Sequence, residues 1–164
     1  MPTTKPQSFF RYFPVSDRDM KWGFHVTTVG ESRIPPHTPY PLGEHPKGYA
    51  FNWANGRTLH DFAIVYLSSG RGWFESKHSP RQRVESGHVF MLFPGVWHRY
   101  MPVQKTGWNE HWVGFDGDIP RRLVKKGSSR RNSQSSKLTV SPFLSACSQI
   151  SWRPPRITRL RFSR

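Results

Sequence analysis

The residues with the clearest potential for chemistry lie between Gly87 and Gly117, where strand and turn signals place a histidine, His98, and a tryptophan, Trp112. Glu110 stands two residues before Trp112, so both side chains lie on the same face of a strand. A carboxylate accepts hydrogen bonds from hydroxyl groups, and an aromatic ring packs on apolar surface. This combination indicates the edge of a barrel that binds a small polar ligand.

The elements that position these residues are short strands. An apolar run at residues 89–93 ends at the turn signal Pro94-Gly95, and a short stretch of alternating character follows at residues 97–100. A polar loop at residues 104–107 then precedes an aromatic strand at residues 108–115. These runs are too short for helices.

The upstream part of the chain continues this pattern. Apolar and polar residues alternate loosely at residues 22–29, which predicts an edge strand. Five prolines in residues 33–48 predict a long arm without helix or central strand. The other predicted elements are strands at residues 49–53, 62–67 and 73–75, a turn at Asn55-Gly56, a turn or bulge at Gly70 and Gly72, and a hairpin loop at residues 76–83. No helical periodicity precedes about Ile119. The fold class is therefore all-β, a small antiparallel barrel or jelly roll with a proline-rich arm.

The bulk properties indicate one domain. The chain has 164 residues, 35% of them hydrophobic, and its one cysteine, Cys147, excludes an internal disulfide. The first residues lack the apolar core of a signal peptide, and no stretch is long enough to span a bilayer. We therefore expect a cytoplasmic protein without membrane association.

The net charge of +15 is unevenly distributed. Residues 1–118 hold all 10 acidic residues and 13 of the 25 Lys and Arg, whereas residues 119–164 hold 12 basic residues and no acid. The pattern of residues 119–126 predicts a helix that stops at Gly127. Residues 127–164 form a tail rich in Ser, Arg and Pro, in which apolar residues do not recur with the period of a helix or a strand, so we expect it to be largely unstructured. The tail is a basic arm for nucleic acid, a solvated terminus, or the product of a frameshift or misassigned gene end.

Three segments in order resemble a known family: FAIVYLSSGRGWF at residues 62–74, GHVFMLFPGVWHRY at residues 87–100 and WNEHWVGFDG at residues 108–117. Together they resemble the N-terminal sensor domain of the arabinose-regulator (AraC) family of bacterial transcription factors, over roughly residues 22–126. The resemblance implies a cupin-like jelly-roll barrel in residues 1–126 that binds a small molecule, often a sugar, and that forms a homodimer. Residues 127–164 show no pattern of a helix-turn-helix domain. We therefore expect a sensor truncated before its DNA-binding domain, without sequence-specific DNA binding of its own.

The resemblance also implies particular ligand contacts. Trp112 matches a tryptophan that stacks on the sugar, and Tyr100 matches another contact. Glu110 replaces a histidine, so the sugar need not be the same. Arg57 lies near a family arginine but out of register, and Ser32 is a weaker match.

His98 raises the alternative of a metal-dependent cupin enzyme acting on a sugar or another small polar substrate. Metal-binding cupins place a histidine at this turn together with a His-x-His pair and a glutamate, and no His-x-His occurs in this sequence. His60, His98, His111 and Glu75 would have to converge by folding alone. We therefore predict no metal, no cofactor and no catalytic residue, with His98, Pro94 and Gly95 in structural roles at the turn.

Overall fold

The computed structural model describes residues 7–42 and 53–130, with side chains as far as residue 126. Its elements are β1 (Gln7–Tyr12), α1 (Asp17–Trp22), β2 (His25–Ile34), β3 (Phe62–Ser76), β4 (Ser79–Glu85), β5 (Val89–Leu92), β6 (His98–Pro102), β7 (Trp108–Asp116) and α2 (Asp118–Arg130). The strand pairs are all antiparallel. The predicted all-β barrel is confirmed.

The strands follow the order β1-β2-β7-β3-β4, and β5 and β6 also pair with β3. The 15-residue β3 belongs to both halves of the barrel. Its first half pairs with β7 and β5, and its second half pairs with β4 and β6. A turn or bulge was predicted at Gly70 and Gly72, but both residues are paired within β3, and the bulge lies just before them, between Leu67 and Ser69. Gly70 has φ 78°, and a Cβ there would lie 2.2 Å from the Gly107 carbonyl oxygen, so the backbones approach as only glycine permits.

The core lies between the two halves of the barrel. Its buried members are apolar or aromatic side chains from the strands and from the turn before β3: Ile34, Leu59, Ala63, Val65, Leu67, Phe74, Val84, Phe90, Leu92, Tyr100 and Trp108. Residues 35–42 contain neither helix nor strand, as their prolines predicted, and Tyr40 and Leu42 from this segment pack on the core. Residues 35–42 of the proline-rich segment are thus part of the folded body.

The N-terminal region differs from the prediction. Helix α1 was missed because it has only six residues and buries none of them, so it has no apolar period to detect. Ser16 and Asp19 form a reciprocal capping box at its start. The strand predicted at residues 22–29 is found as β2, but it begins at His25 after α1, runs to Ile34 and lies between β1 and β7, so its predicted edge position is wrong. The unpredicted strand β1 occupies the edge.

Two further predictions are corrected. The hairpin loop predicted at residues 76–83 is only Lys77 and His78, because the polar residues that follow form β4. Arg81 is compatible with a strand since its guanidinium lies 4.4 Å from the centre of the Trp73 ring on the outer face. Helix α2 continues past Gly127 to Arg130, since one interior glycine costs only about 1 kcal/mol.

Some predictions concern residues that the structure does not describe. The strand predicted at residues 49–53 lies outside the described residues except for Trp53, which belongs to a turn. Residues 43–48 of the arm and residues 131–164 of the tail also lie outside them. The predicted domain boundary at Lys126 stays a prediction. Within the described part of the chain, no helix has the length and apolar character needed to cross a membrane.

Candidate ligand-binding site

A cleft lies on the inner face of the sheet, walled by β1, β2, β7 and β3 on one side and by β6 on the other. Its cavity volume is about 40 Å³, and the surrounding space not occupied by atoms, about 740 Å³, includes open solvent. Much of this space is narrow, so a ligand must displace water or side chains as it enters. All five residues predicted as ligand contacts line this cleft: Ser32, Arg57, Tyr100, Glu110 and Trp112. The structure thus brings together residues that are up to 80 positions apart in the chain.

Strand register arranges the inner side chains in three rows across β1, β2, β7 and β3. The first row contains Ser8, Ser32, Glu110 and Leu67; the second contains Phe10, Gly30, Trp112 and Val65; the third contains Tyr12, Thr28, Gly114 and Ala63. Neighbouring rows are two residues apart on every strand, so all three rows lie on the same face of the sheet. The middle row is apolar, and polar side chains stand on both sides of it.

Trp112 occupies its place in the middle row because Gly30 has no side chain. A Cβ on Gly30 would lie 2.3 Å from Cζ2 of Trp112, so the indole covers the β2 backbone at that point. Trp112 is partly buried and packs against the core. Since it also lines the cleft, part of the indole is available to a ligand.

Glu110 lies next to Trp112 in the first row and is only 5% exposed. Burial raises the pKa of its carboxyl to about 8, against the opposing effects of the Arg57 charge and a hydrogen bond with Tyr40. Its Oε2 atom is buried without a hydrogen-bond partner among the described residues. Buried polar atoms usually have a hydrogen-bond partner, so this oxygen can bond with a molecule that enters the cleft.

Arg57 supplies the positive charge of the cleft. Its backbone pairs with that of His98 through two hydrogen bonds, with N–O distances of 2.9 Å and 3.0 Å. Its guanidinium donates to the Tyr100 hydroxyl at 2.5 Å and to Nε2 of His98 at 3.3 Å. Burial raises the pKa of Tyr100 to about 12, so this phenol stays protonated at neutral pH. Tyr40 bonds with both Tyr100 and Glu110 and thereby connects the two walls.

His98 is 1% exposed, and burial lowers its pKa to about 4. Its neutral ring accepts from Arg57 at Nε2, which leaves Nδ1 to donate to the Val96 carbonyl at 3.0 Å. Pro94 and Gly95 form the preceding turn, and the Gly95 amide donates to the Leu59 carbonyl at 2.9 Å. These contacts connect His98 and Gly95 to the backbone beside the cleft, and the structural roles of His98, Pro94 and Gly95 stay a prediction.

The candidate metal ligands do not converge. Within residues 7–42 and 53–130 there is no group of three or more His, Cys, Asp or Glu side chains suited to a metal ion. His111 faces the outer surface, where Nδ1 lies 3.5 Å from Oε2 of Glu31, and Glu75 forms an ion pair with Arg99 at 2.8 Å. His60 is exposed.

Several cleft residues were missed by the sequence analysis. Tyr40 comes from the proline-rich arm, where nothing in the sequence distinguishes it from an exposed loop residue. Thr28 and Asp61 are 4% and 5% exposed and line the far end of the cleft. The one available signal for Asp61 was its position directly before the apolar run at residues 62–67, since a carboxylate beside a buried strand needs polar partners.

The family model of the AraC-like ligand-binding domain matches residues 40–152. The chain belongs to this family. The match includes Arg57, Tyr100, Glu110 and Trp112 and confirms the resemblance drawn from the three sequence segments. Strands β1 and β2, which complete the cleft wall of this AraC-like domain, precede the matched residues.

Comparison with curated proteins gives no match. Solved structures similar to this AraC-like domain include the cupin domain of Schizosaccharomyces pombe Cnp3, at 13% identity and a TM-score of 0.42, covering 76% of this chain and 77% of that one. The Escherichia coli protein YhaK has 10% identity and a TM-score of 0.47, over 68% and 45% of the two chains. A cupin 2 conserved barrel domain protein from Salinispora arenicola has 17% identity and a TM-score of 0.40, over 74% and 83%.

Proposed function

We propose that the cleft binds a sugar or a related polyol, with one face of a sugar ring on the Trp112 indole and a hydroxyl on Glu110. The observation that carries this proposal is the shared position of the two residues. An aromatic ring and a buried, unpartnered carboxyl oxygen stand side by side on the wall of one cleft. A sugar ring has an apolar face that can pack on the indole and hydroxyl groups at its edge that can bond with the carboxyl group.

The cleft supplies further polar groups for such a ligand. Arg57 and Tyr100 face Glu110 from the opposite wall, and Ser32 lies beside it in the same row. The Ser32 hydroxyl is 3.0 Å from the Ser8 hydroxyl, so it can exchange this bond for one to a ligand. A small number of polar groups around an apolar surface is the usual composition of a small-molecule site.

We propose further that binding serves to sense the ligand for the regulation of transcription. Membership in the AraC-like ligand-binding family supports this role. Self-association into a homodimer belongs to the same proposal, and the exposed apolar side chains of Ile119 and Leu123 on α2 are compatible with it. No specific observation favours the alternative of a metal-dependent enzyme.

The test is titration of the full chain with a panel of pentoses, hexoses and alditols, followed by calorimetry and tryptophan fluorescence. The chain has seven tryptophans, so the signal must be assigned by substitution. Trp112→Phe should weaken binding and remove the fluorescence change. Trp22→Phe is the matched control, since Trp22 is 71% exposed and outside the cleft, and it should bind as the unmodified chain does. Binding that is unaffected by Trp112→Phe would overturn the proposal.

A further inference from the structure

Two buried polar atoms without a partner among the described residues lie on the cleft wall. They are Oε2 of Glu110 and Oγ1 of Thr28, in residues that are 5% and 4% exposed. Buried polar atoms are nearly always hydrogen-bonded in folded proteins. Each atom is therefore a place where a bound molecule can supply a missing hydrogen bond. The proposed function uses only the first.

The two atoms stand on opposite sides of Trp112. Glu110 belongs to the row before the indole, whereas Thr28 lies in the row after it, opposite Gly114. Glu110 and Gly114 are four residues apart on β7, which corresponds to roughly 13 to 14 Å of extended strand. A threonine side chain is short, so its hydroxyl remains close to its own row. A single sugar ring centred on Trp112 that reaches Glu110 therefore does not reach Thr28.

The surroundings of Thr28 suit a hydroxyl-bearing group. Asp61 lines the cleft there, is 5% exposed and accepts a hydrogen bond from the Thr27 hydroxyl. Tyr12 lies next to Thr28 in the third row and also faces the cleft. The methyl group of Thr28 packs over Gly114, where a Cβ would lie only 2.4 Å away. The third row is thus a second polar region, separated from the first by the apolar row of Trp112.

We propose that the cleft takes a sugar longer than one ring, a disaccharide or a glycoside, with its first ring at Trp112 and Glu110 and its second unit at Thr28. This rests on the proposed function of the same cleft. A hydroxyl group satisfies either orphaned atom, because it both donates and accepts. The apolar row between them receives the face of a ring, as in other aromatic sugar contacts.

The experiment compares maltose, cellobiose and lactose with glucose and galactose by calorimetry on the full chain. At least one disaccharide should bind about tenfold or more tightly than its component hexoses, the gain of one further well-made contact. Thr28→Val replaces the hydroxyl by a methyl group of similar size. It should weaken the disaccharide about fivefold to tenfold and leave hexose binding unchanged. Thr28→Ser, which keeps the hydroxyl, should retain the disaccharide preference.

The outcomes separate the two proposals. Hexose binding that requires Trp112, with no preference for a disaccharide, would overturn the longer ligand and leave the proposed function intact. The same holds if Thr28→Val weakens hexose and disaccharide equally. Failure of every sugar in both panels to bind would overturn both proposals. Circular dichroism and the melting temperature of each variant show whether a loss of binding reflects a loss of fold. If Thr28→Val is unfolded, the binding of Thr28→Ser is compared with that of the unmodified chain instead.

Discussion

Gly30 lies directly opposite Trp112 in the β2–β7 pair, and the indole occupies the space that a side chain at residue 30 would fill. This relationship links the shape of the sheet to the candidate site. A residue with a Cβ at position 30 would meet Cζ2 of Trp112 at 2.3 Å and the Phe9 carbonyl oxygen at 2.6 Å. The first contact can be relieved by moving the indole, and the second only by moving β1.

Gly30→Ala should therefore destabilise the domain and displace Trp112. Overpacking of this kind costs about 1 to 3 kcal/mol, measurable by urea denaturation. In a Trp112→Ala background the same substitution should cost less, because only the clash with β1 remains. Equal costs in the two backgrounds would show that the indole is not the obstacle.

The buried carboxyl of Glu110 gives stability a pH dependence. Its pKa is about 8 in the folded state, against an ordinary value of 4.5, so between these pH values the folded protein retains a proton that the unfolded chain has lost. The resulting contribution to the free energy of unfolding is fully present below about pH 4.5 and is lost as the pH rises towards 8.

Glu110→Gln should flatten this dependence and make the variant less sensitive to alkaline pH than the unmodified chain. Urea denaturation at several pH values from 5 to 8 measures the slope. The control is Glu85→Gln, since the Glu85 side chain is 52% exposed and pairs with Arg83 at 3.5 Å. An unchanged slope in Glu110→Gln would show that Glu110 ionises normally in the folded protein.

Arg99 holds the segment before Arg57 against the outer face of the barrel. Its guanidinium pairs with Glu75 at 2.8 Å, donates to the Trp53 carbonyl and lies over the rings of Trp53 and Trp97. A lysine keeps the charge but cannot make this set of planar contacts. Arg99→Lys should lower the free energy of unfolding by about 1 to 2 kcal/mol.

Arg83→Lys is the matched control for Arg99→Lys. Arg83 and Glu85 form an exposed ion pair, with about half of each side chain accessible, and such pairs contribute at most about 1 kcal/mol. Chemical denaturation should show a smaller loss for Arg83→Lys than for Arg99→Lys. Equal losses would mean that the aromatic contacts of Arg99 add nothing to its ion pair.

The sequence by itself determined the strands between Val89 and Asp116. The apolar run before Pro94-Gly95 predicted β5 and its turn, and the aromatic run at residues 108–115 predicted β7 to within one residue. The two-residue period of a strand was sufficient to place Glu110 and Trp112 on one face. These features depend on neighbouring residues only, which is why they could be inferred without the fold.

The tertiary structure decided which distant residues share that face. Thr28 stands opposite Gly114 through the register in which β2 pairs with β7, and the local pattern of neither strand fixes that register. Tyr40 reaches Glu110 from a proline-rich segment that the sequence indicated only as irregular. Buried polar contacts between remote segments depend on strand register and loop path, whereas strand positions depend on local apolar patterning. The sequence therefore determined strands such as β5 and β7, and the tertiary structure assembled the cleft.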